Sequence, residues 1–286
     1  MHGFFKGGVH PPAEKGLTDK LKITSAPAPK TVKIPLSQHI GKPAKAIVKA
    51  GDRVLRGQTI GEADGAISAS VFSSVAGTVT AIESLPTATG TADHVVIEND
   101  FTEEETRLEP LSEINKFTVV ERMEKAGVVG MGGAGFPSAV KFGGMSADTL
   151  IVNAAECEPY VTCDTRVIIE YTDEFLKGVG LMARCLEAKE TIIAIEDNKP
   201  EAIAALKAAG ANVRVLPARY PQGSEKHIIK AVTGKVVPLG KLPSSVGVAV
   251  GNVSTALAVC RAVYDGITCY ERAVTVTGRG IVRPAN

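Results

Sequence analysis

The residues best suited to chemistry form a glycine-rich stretch from Gly130 to Phe142, GMGGAGFPSAVKF. Four glycines in six positions let a backbone approach a ligand closely and present several N–H groups to it. Pro137 suits the first turn of a helix, and a helix N-terminus behind a glycine loop favours phosphate. Lys141 follows one turn later, where its charge could pair with that phosphate. The pattern predicts a phosphate site, and the alternative is a tight loop that serves packing alone.

A second polar cluster, NAAECEPY from Asn153 to Tyr160, follows an apolar, strand-like run. Glu156 and Glu158 flank Cys157 in this cluster. Carboxylates at the end of a strand can hold ribose hydroxyls or a nicotinamide, and the alternative is a solvated loop between a strand and a helix. The thiol of Cys157 is either a redox-reactive group or a small packing residue.

Two more clusters lie further along the chain, RYPQGSEKH from Arg219 to His227 and GNVST from Gly251 to Thr255. Tyr220 offers a flat ring and a hydroxyl, Gly223 permits a sharp entry into a helix, and Ser224 could cap that helix. The side chains of the second cluster can donate to phosphate or to a flavin pyrimidine. Its alternative role is that of an ordinary helix cap.

The elements that would position these clusters fall into two regions. Up to about residue 110, short apolar alternations are separated by glycine and proline, which predicts a small all-β barrel or sandwich. The predicted strands are TVKIPL, KAIVKAGD, GQTIGEA, SASVFSSV, GTVTAIE and HVVIEN. The run VKAGDRVLRGQTIG resembles the biotinyl/lipoyl barrel-sandwich hybrid, but no lysine lies between Arg56 and Lys116 for carrier attachment. We therefore expect a non-carrier platform.

The second region alternates strand-like and helix-like runs from about residue 116 to residue 265. Such alternation predicts an α/β domain in which helices cover both faces of a parallel sheet. TRVIIEYTDEFLKGVGLMARCLEA reads as one helix, and strands ETIIAIED and VGVAVGN follow it in the chain. The expected domains are 1–110, a barrel-sandwich hybrid; 116–265, an α/β domain; and 266–286, whose residues 275–277 look like the first strand of a further domain. The acidic stretch 100–115 would link the first two.

Composition narrows the function classes. The 286 residues carry a net charge of +1, which gives no global reason to expect a nucleic acid as partner. No apolar run reaches the length of about 20 residues that a membrane-spanning helix needs, and no signal peptide is evident. Five cysteines without a C-x-x-C pair fit a reducing compartment and indicate no complete iron–sulfur or zinc site.

The four clusters occur in the same order in the flavoprotein subunit of respiratory complex I, a family that binds FMN and NADH. That family shows R-G-G-A-G-F-P-T-G-x-K-W, N-A-D-E-x-E-P, Y-x-x-G-E-E and N-N-V-E-T, and the chain resembles it in most positions of each motif. By this resemblance, ten residues would bind FMN: Gly132, Gly133, Gly135, Lys141, Asn153, Glu156, Tyr220, Gly223, Asn252 and Thr255. Four would face the NAD(H) nucleotide: Phe136, Phe142, Glu158 and Glu225. No catalytic side chain and no metal ligand is expected, because a flavin itself performs hydride chemistry.

The chain departs from that family at four positions. Met131 stands in place of an arginine, Ala155 of an aspartate, Ser224 of a glutamate and Gly251 of an asparagine. Fewer polar groups would then reach a flavin, so we expect weaker binding than in complex I.

Essentially the whole chain is similar to the RnfC family, one of the subunit families of the Rnf electron-transport complex. That family opens with a G-G-[VI]-H-P-P stretch, present here from Gly7 to Pro12, and continues with a barrel-sandwich and a flavin-binding domain. The resemblance implies an electron-transfer subunit of a membrane-associated ferredoxin:NAD⁺ oxidoreductase that exchanges hydride between NAD(H) and FMN. It also implies other Rnf subunits, membrane-embedded and ferredoxin-like, as partners, and a peripheral place on the cytoplasmic side of the bacterial membrane.

Family members continue into a β-grasp-like domain and the cysteines of two [4Fe–4S] clusters, so residues 266–286 are expected to begin a truncated copy of that domain. The alternative function is a non-catalytic scaffold that docks other subunits and carries a vestigial nucleotide pocket. Three of the departures favour the scaffold, those at Met131, Ala155 and Ser224, whereas Lys141, Glu158 and Glu225 favour a working pocket.

Overall fold

Apolar residues at every second position drive the first half of the chain into strands whose inner faces share a core. In the computed structural model, which describes residues 7–88 and 90–286, this half contains seven strands. The strands are β1 (Thr31–Pro35), β2 (Lys45–Ala46), β3 (Arg53–Val54), β4 (Thr59–Glu62), β5 (Val71–Phe72), β6 (Gly77–Thr87) and β7 (Gly90–Asn99). They form two antiparallel sheets, β1-β7-β6-β3 and β2-β4-β5. Ile34, Ile60, Val79 and Ile97 pack between them in one apolar cluster, as a barrel-sandwich requires.

The chain forms two compact units that we describe separately. The barrel unit comprises residues 26–144 and 258–272, and the sheet unit comprises described residues 7–25 together with 145–257 and 273–286. The N-terminal segment thus belongs to the sheet unit although it precedes the barrel strands in the chain. These units have boundaries that differ from the domain ranges expected from the sequence, 1–110, 116–265 and 266–286, and those ranges stay a prediction.

Two helices of the barrel unit follow the acidic stretch 100–115: α1 (Lys116–Lys125) and α2 (Ser138–Gly143). Asn115 and Thr118 form a reciprocal capping box that starts α1. Ion pairs connect the acidic stretch to arginines of the barrel strands and of the turn after β3. Arg53 pairs with Asp100 at 2.8 Å, and Arg56 pairs with Glu105 at 3.0 Å.

The sheet unit alternates strands and helices, as the sequence predicted. Its elements are β8 (Thr149–Ala154), α3 (Cys163–Glu170), α4 (Thr172–Leu186), β9 (Glu190–Glu196), α5 (Pro200–Ala208), β10 (Val213–Leu216), α6 (Glu225–Thr233) and β11 (Val248–Asn252). Helix α7 (Val253–Tyr264) begins in this unit, and its residues from 258 onward belong to the barrel unit. The four strands are parallel in the order β10-β9-β8-β11.

Helices cover both faces of this sheet, which confirms the predicted α/β class. On one face, Ile151 and Val250 share an apolar cluster with Ile228 and Ile229 of α6. Residues next to them in the strands point to the opposite face, where Gly251 approaches Met182 of α4.

Two sequence predictions in this region were wrong. The single long helix is two helices, because Tyr171 leaves the helical region with φ −128° and ψ 37°. Asp173 and Glu174 then lie in the first turn of α4, where negative charge favours a new helix start. The strand expected at residues 275–277 is also absent from the described residues, since only the pair Val276 and Ala285 forms a bridge there. In the described part of the chain, no helix has the length and apolarity needed to cross a membrane.

Candidate functional site

The order of the strands in the sheet indicates where a ligand would bind, between β8 and β11. From β8 the chain moves through β9 to β10 on one side, then returns to place β11 on the other side of β8. In open α/β sheets, ligands bind at the carboxyl ends of the strands where the order reverses in this way. At that end Asn153 of β8 and Asn252 of β11 are direct neighbours across the strand pair. We call the group Asn153, Glu156, Asp164, Gly223 and Asn252 the switch-point site.

Asn252 and Asp164 form the first hydrogen-bonded network of the site. The Asn252 amide Nδ2 donates to Asp164 Oδ2 at 2.8 Å, and the Ser254 hydroxyl donates to Asp164 Oδ1 at 2.5 Å. Asn252 Oδ1 accepts from the backbone N–H of Thr255 at 3.1 Å, so Asn252 also caps α7. Burial raises the pKa of Asp164, and the hydrogen bonds from Ser254 and Asn252 oppose that rise.

The carboxylate of Glu156 caps helix α3. Its Oε1 accepts from the backbone N–H of Asp164 at 2.8 Å, and its Oε2 accepts from the Thr165 hydroxyl at 2.5 Å. Glu156 is buried, and this burial together with the charge of Asp164 raises the pKa of Glu156 to about 7, while Lys15 acts in the opposite direction. The site therefore contains a carboxyl group that takes up a proton near neutral pH.

Asn153 joins the strand end to the loop that precedes α6. Its Nδ2 donates to the carbonyl of Gly223 at 2.8 Å, and its Oδ1 accepts from the N–H of Ala155 at 3.1 Å. The N–H of Gly223 donates to the sulfur of Cys157 at 3.3 Å, and burial raises the pKa of the Cys157 thiol. A protonated, hydrogen-bonded thiol fits the packing role that the sequence left open for Cys157.

The sheet unit thus gathers most of the residues singled out in its sequence. Thr255 is buried beside Asn252, whereas Tyr220, Glu158 and Glu225 are exposed around the same end of the sheet. Ser224 stands at the N-cap position of α6, but its side chain makes no capping hydrogen bond there.

The glycine-rich loop lies in the barrel unit, where it is closed at its base. Val129 and Pro137 form a bridge, and the N–H of Gly130 donates to the carbonyl of Phe136 at 2.8 Å. Gly135 has φ +68°, a left-handed conformation that side chains rarely adopt. The loop tip at Gly132 and Gly133 is exposed, and Lys141 is half-buried in α2.

Phe142 requires a correction to the roles inferred from resemblance. Only 1% of the surface of Phe142 is exposed, and it is among the largest fully buried side chains of the described residues. A ring enclosed on all sides has no face to offer a nicotinamide, so Phe142 acts as a packing residue. Phe136 is half-buried and keeps part of its surface open.

Two of the departures from the complex I pattern have packing reasons. Ala155 is 0% exposed and belongs to the apolar cluster under α6, where a carboxylate would be costly. A Cβ at Gly251 would lie 2.4 Å from Cε of Met182, so the methionine fills the space that a side chain would occupy.

We expect Gly251→Ala to lower the free energy of unfolding by about 1–3 kcal/mol, because the end of Met182 must move into a packed core. In a Met182→Ala background the same substitution should cost measurably less. Urea unfolding of the four proteins of this double-mutant cycle measures the coupling between the two sites. If Gly251→Ala lowers the free energy of unfolding equally in both backgrounds, contact with Met182 is not the reason that position 251 requires glycine.

Sequence reasoning missed three residues of this region. Asp164 was not singled out, because it lies between the second polar cluster and the predicted helix that begins at Thr165. Lys15 carries no local signal because its partners lie more than 140 positions away. Gln222 was passed over although it lies between Tyr220 and Gly223, inside a stretch already singled out. Its position in that stretch was the one signal that could have drawn attention to it.

Comparisons with known proteins agree with this geometry. The Nuo51 FMN-binding domain matches residues 123–261, and the RnfC barrel sandwich hybrid domain matches residues 4–102. An RnfC protein of Serratia proteamaculans, named as part of an ion-translocating oxidoreductase complex, is 42% identical over 99% of this chain. The chain belongs to the RnfC family.

Other RnfC relatives show the same level of similarity. The corresponding protein of Rhodobacter capsulatus is 42% identical over 98% of this chain. Its counterpart in the proton-translocating ferredoxin:NAD(+) oxidoreductase complex of Clostridium ljungdahlii is 42% identical over 99%. The chain spans 42%, 57% and 64% of the length of these three RnfC proteins, so each of them is considerably longer.

A solved structure also shares part of the fold of this RnfC chain. An NAD⁺-reducing [NiFe]-hydrogenase in the air-oxidized state superposes with a TM-score of 0.50 and 25% sequence identity. The match covers 60% of this chain and 36% of the hydrogenase chain. The α/β architecture is therefore found in an experimentally solved oxidoreductase.

Proposed function

We propose that this chain is an FMN- and NAD(H)-binding electron-transfer module, with the switch-point site as the place where the flavin ring binds. The observation that carries the proposal is the pairing of Asn153 and Asn252 at the carboxyl edge where the strand order reverses. Membership of the matched segment in the Nuo51 FMN-binding domain family supports the same cofactor.

The residues present fit a flavin. Among the described residues, the amide of Gln222 is 1% exposed and neither its Nε2 nor its Oε1 has a hydrogen-bond partner. Leaving a buried amide unpaired costs about 1–3 kcal/mol per group, so such a group calls for a partner. A side-chain amide offers one donor and one acceptor side by side, which complements the N–H and carbonyl groups of the flavin pyrimidine edge.

When bound, FMN would supply the chemistry that links a two-electron hydride donor to one-electron carriers. The chain's part would be binding and orientation. Asn153, Glu156, Tyr220, Gly223, Asn252 and Thr255 would line the flavin site. Separately, the backbone N–H groups of the exposed loop tip at Gly132 and Gly133, with Lys141, would suit a phosphate group. Gly135 is buried and would shape this loop through its left-handed conformation. Within the sheet unit, Glu158 and Glu225 would meet NAD(H), and Phe142 of the barrel unit has no role there.

The finer proposal concerns the whole complex. The relatives are named as subunits of ion-translocating and ferredoxin:NAD(+) oxidoreductase complexes. By this likeness we propose that the chain works with other Rnf subunits, peripherally on the cytoplasmic side of a bacterial membrane, as an NADH-linked flavin-dependent oxidoreductase. Two [4Fe–4S] clusters carried outside residues 1–286 would take or give the single electrons. A nucleic-acid partner is not part of the proposal.

The direct test is an FMN titration of the purified chain, followed by anaerobic addition of NADH while the flavin absorbance is recorded. Binding followed by bleaching is the expected result. Binding without bleaching would remove Glu158 and Glu225 from the proposal. Absence of binding would favour the scaffold function, for which Met131, Ala155 and Ser224 are the supporting departures.

Gln222→Leu separates binding from folding. We expect it to weaken FMN binding by tenfold or more, because the flavin edge loses a bidentate partner. We also expect the free energy of unfolding without FMN to stay equal or to rise, because an unpaired buried amide is replaced by an apolar side chain. Gln38→Leu is the control, since that side chain is exposed in the barrel unit. Unchanged FMN affinity in Gln222→Leu would exclude Gln222 from the site.

A further inference from the structure

The turn between β8 and α3 holds two residues in an unfavourable backbone conformation. Glu156 has φ +43° and Tyr160 has φ +72°, both in the left-handed region that residues other than glycine rarely adopt. Each such residue costs on the order of 1–3 kcal/mol and persists only where the surrounding structure fixes it. The turn carries Glu156, Cys157 and Glu158, so something outside it must hold these residues in place.

Lys15 supplies that support from the N-terminal segment. Its ammonium group donates to three backbone carbonyls of the turn, those of Glu156 at 2.9 Å, Glu158 at 3.0 Å and Val161 at 2.6 Å. Three donors are all that a lysine has, and the turn uses every one of them. Burial lowers the pKa of Lys15, and the charge of Glu156 opposes that change, so the ammonium is held by its polar partners rather than by solvent.

The same segment fixes the second loop of the site. Val9 and Tyr220 exchange two backbone hydrogen bonds, at 2.8 and 2.9 Å, and Nδ1 of His10 lies 3.2 Å from the carbonyl of Ala218. The carbonyl of Ala13 accepts from the N–H of Tyr160 at 2.9 Å. Residues 9–15 therefore make hydrogen bonds with both loops that border the switch-point site, the turn before α3 and the loop before α6.

We propose that Lys15 is a positioning residue of the flavin site. It acts through its hydrogen bonds to three backbone carbonyls, which fix the conformation of the turn from Glu156 to Val161. The inference rests on the proposed function, and it adds a residue that lies outside the matched FMN-binding segment 123–261. Although residues 4–102 match the barrel domain, the segment around Lys15 belongs structurally to the sheet unit. The segment that matches the FMN-binding domain family therefore leaves out Lys15, a residue of the proposed site.

The test compares Lys15→Met with Lys20→Met in the whole chain. Lys20 lies in the same segment but is exposed, and it pairs with Glu201 at 2.7 Å on the surface. Two measurements are made on each variant. The first is hydrogen exchange of residues 156–161 together with the rate at which a thiol reagent labels Cys157, assigned by peptide mass spectrometry. The second is the FMN dissociation constant.

Lys15→Met should speed exchange and Cys157 labelling at least tenfold and weaken FMN binding at least tenfold. Lys20→Met should leave both measurements at the parent values. Lys15→Arg, which keeps the charge and several donors, should restore a large part of both. If Lys15→Met does not fold, Lys15→Gln, which retains a donor, takes its place in the comparison.

Two results would overturn the inference: unchanged exchange in the turn, or a freed turn with unchanged FMN affinity. A failure of the proposed function looks different. In that case the parent chain itself binds no FMN. Faster hydrogen exchange in Lys15→Met would still show that Lys15 stabilises the turn. Hydrogen exchange, which needs no flavin, keeps the two failures apart.

Discussion

Gly178→Ala should destabilise the protein by about 3 kcal/mol or more, a large effect for the addition of one methyl group. Gly178 lies buried in α4 where that helix meets α7, and a Cβ there would lie 1.8 Å from the carbonyl oxygen of Ala256 and 2.5 Å from its carbon. Both atoms belong to backbone, so no side-chain rotation can relieve the clash. The two helices would have to move apart, with loss of packing beneath the switch-point site.

Gly180→Ala is the matched control, because it lies two residues further along α4. A Cβ at Gly180 would meet nothing within 4 Å, and the residue is exposed. Glycine inside a helix is less favourable than alanine by roughly 0.5–1 kcal/mol, so this variant should be slightly more stable than the parent. Urea unfolding of both variants should show opposite signs. A cost at Gly178 no larger than the effect at Gly180 would mean that α4 and α7 do not pack this closely.

Glu156→Gln should make the protein more stable at high pH and leave it nearly unchanged at low pH. Burial, with the nearby Asp164, raises the pKa of Glu156 from 4.5 to about 7. The folded state therefore binds more protons than the unfolded state between these two values, and stability falls as the pH rises through this window. At about 1.4 kcal/mol per pKa unit, the loss amounts to roughly 3 kcal/mol as an upper bound.

Glutamine stays neutral at every pH and can still accept the N–H of Asp164. The difference in unfolding free energy between Glu156→Gln and the parent should therefore grow from pH 5 to pH 8, as measured by urea unfolding at each pH. Asp164, Lys15 and Lys199 also act on Glu156 and are present in both proteins, so their own titration largely cancels in this difference. Glu158→Gln, at an exposed side chain, serves as the control. A difference that stays flat across this range would contradict the buried position of Glu156.

Much of the fold was predictable because its signals are local. Alternating apolar residues marked six of the seven barrel strands, and only the two-residue β3 was not singled out. Alternating strand and helix runs indicated the parallel sheet, since each helix must bury an apolar face against it. The break at Tyr171 was missed because both sides of it carry strong helix signals, and only the backbone angles of one residue separate α3 from α4.

The sequence by itself determined the class of the domains and the order of the polar clusters, because glycine loops, strand ends and helix starts depend on neighbouring residues. It could not determine which clusters lie together, since hydrogen bonds such as those of Asn252 with Asp164, or of Lys15 with the Glu156 turn, join residues 88 and 141 positions apart. Nor could it show that Phe142 is enclosed, or that the side-chain amide of Gln222 has no hydrogen-bond partner among the described residues, because burial depends on how distant segments pack. Only the tertiary structure decides these points, because it brings the N-terminal segment, the strand ends and the start of α3 to one edge of the sheet.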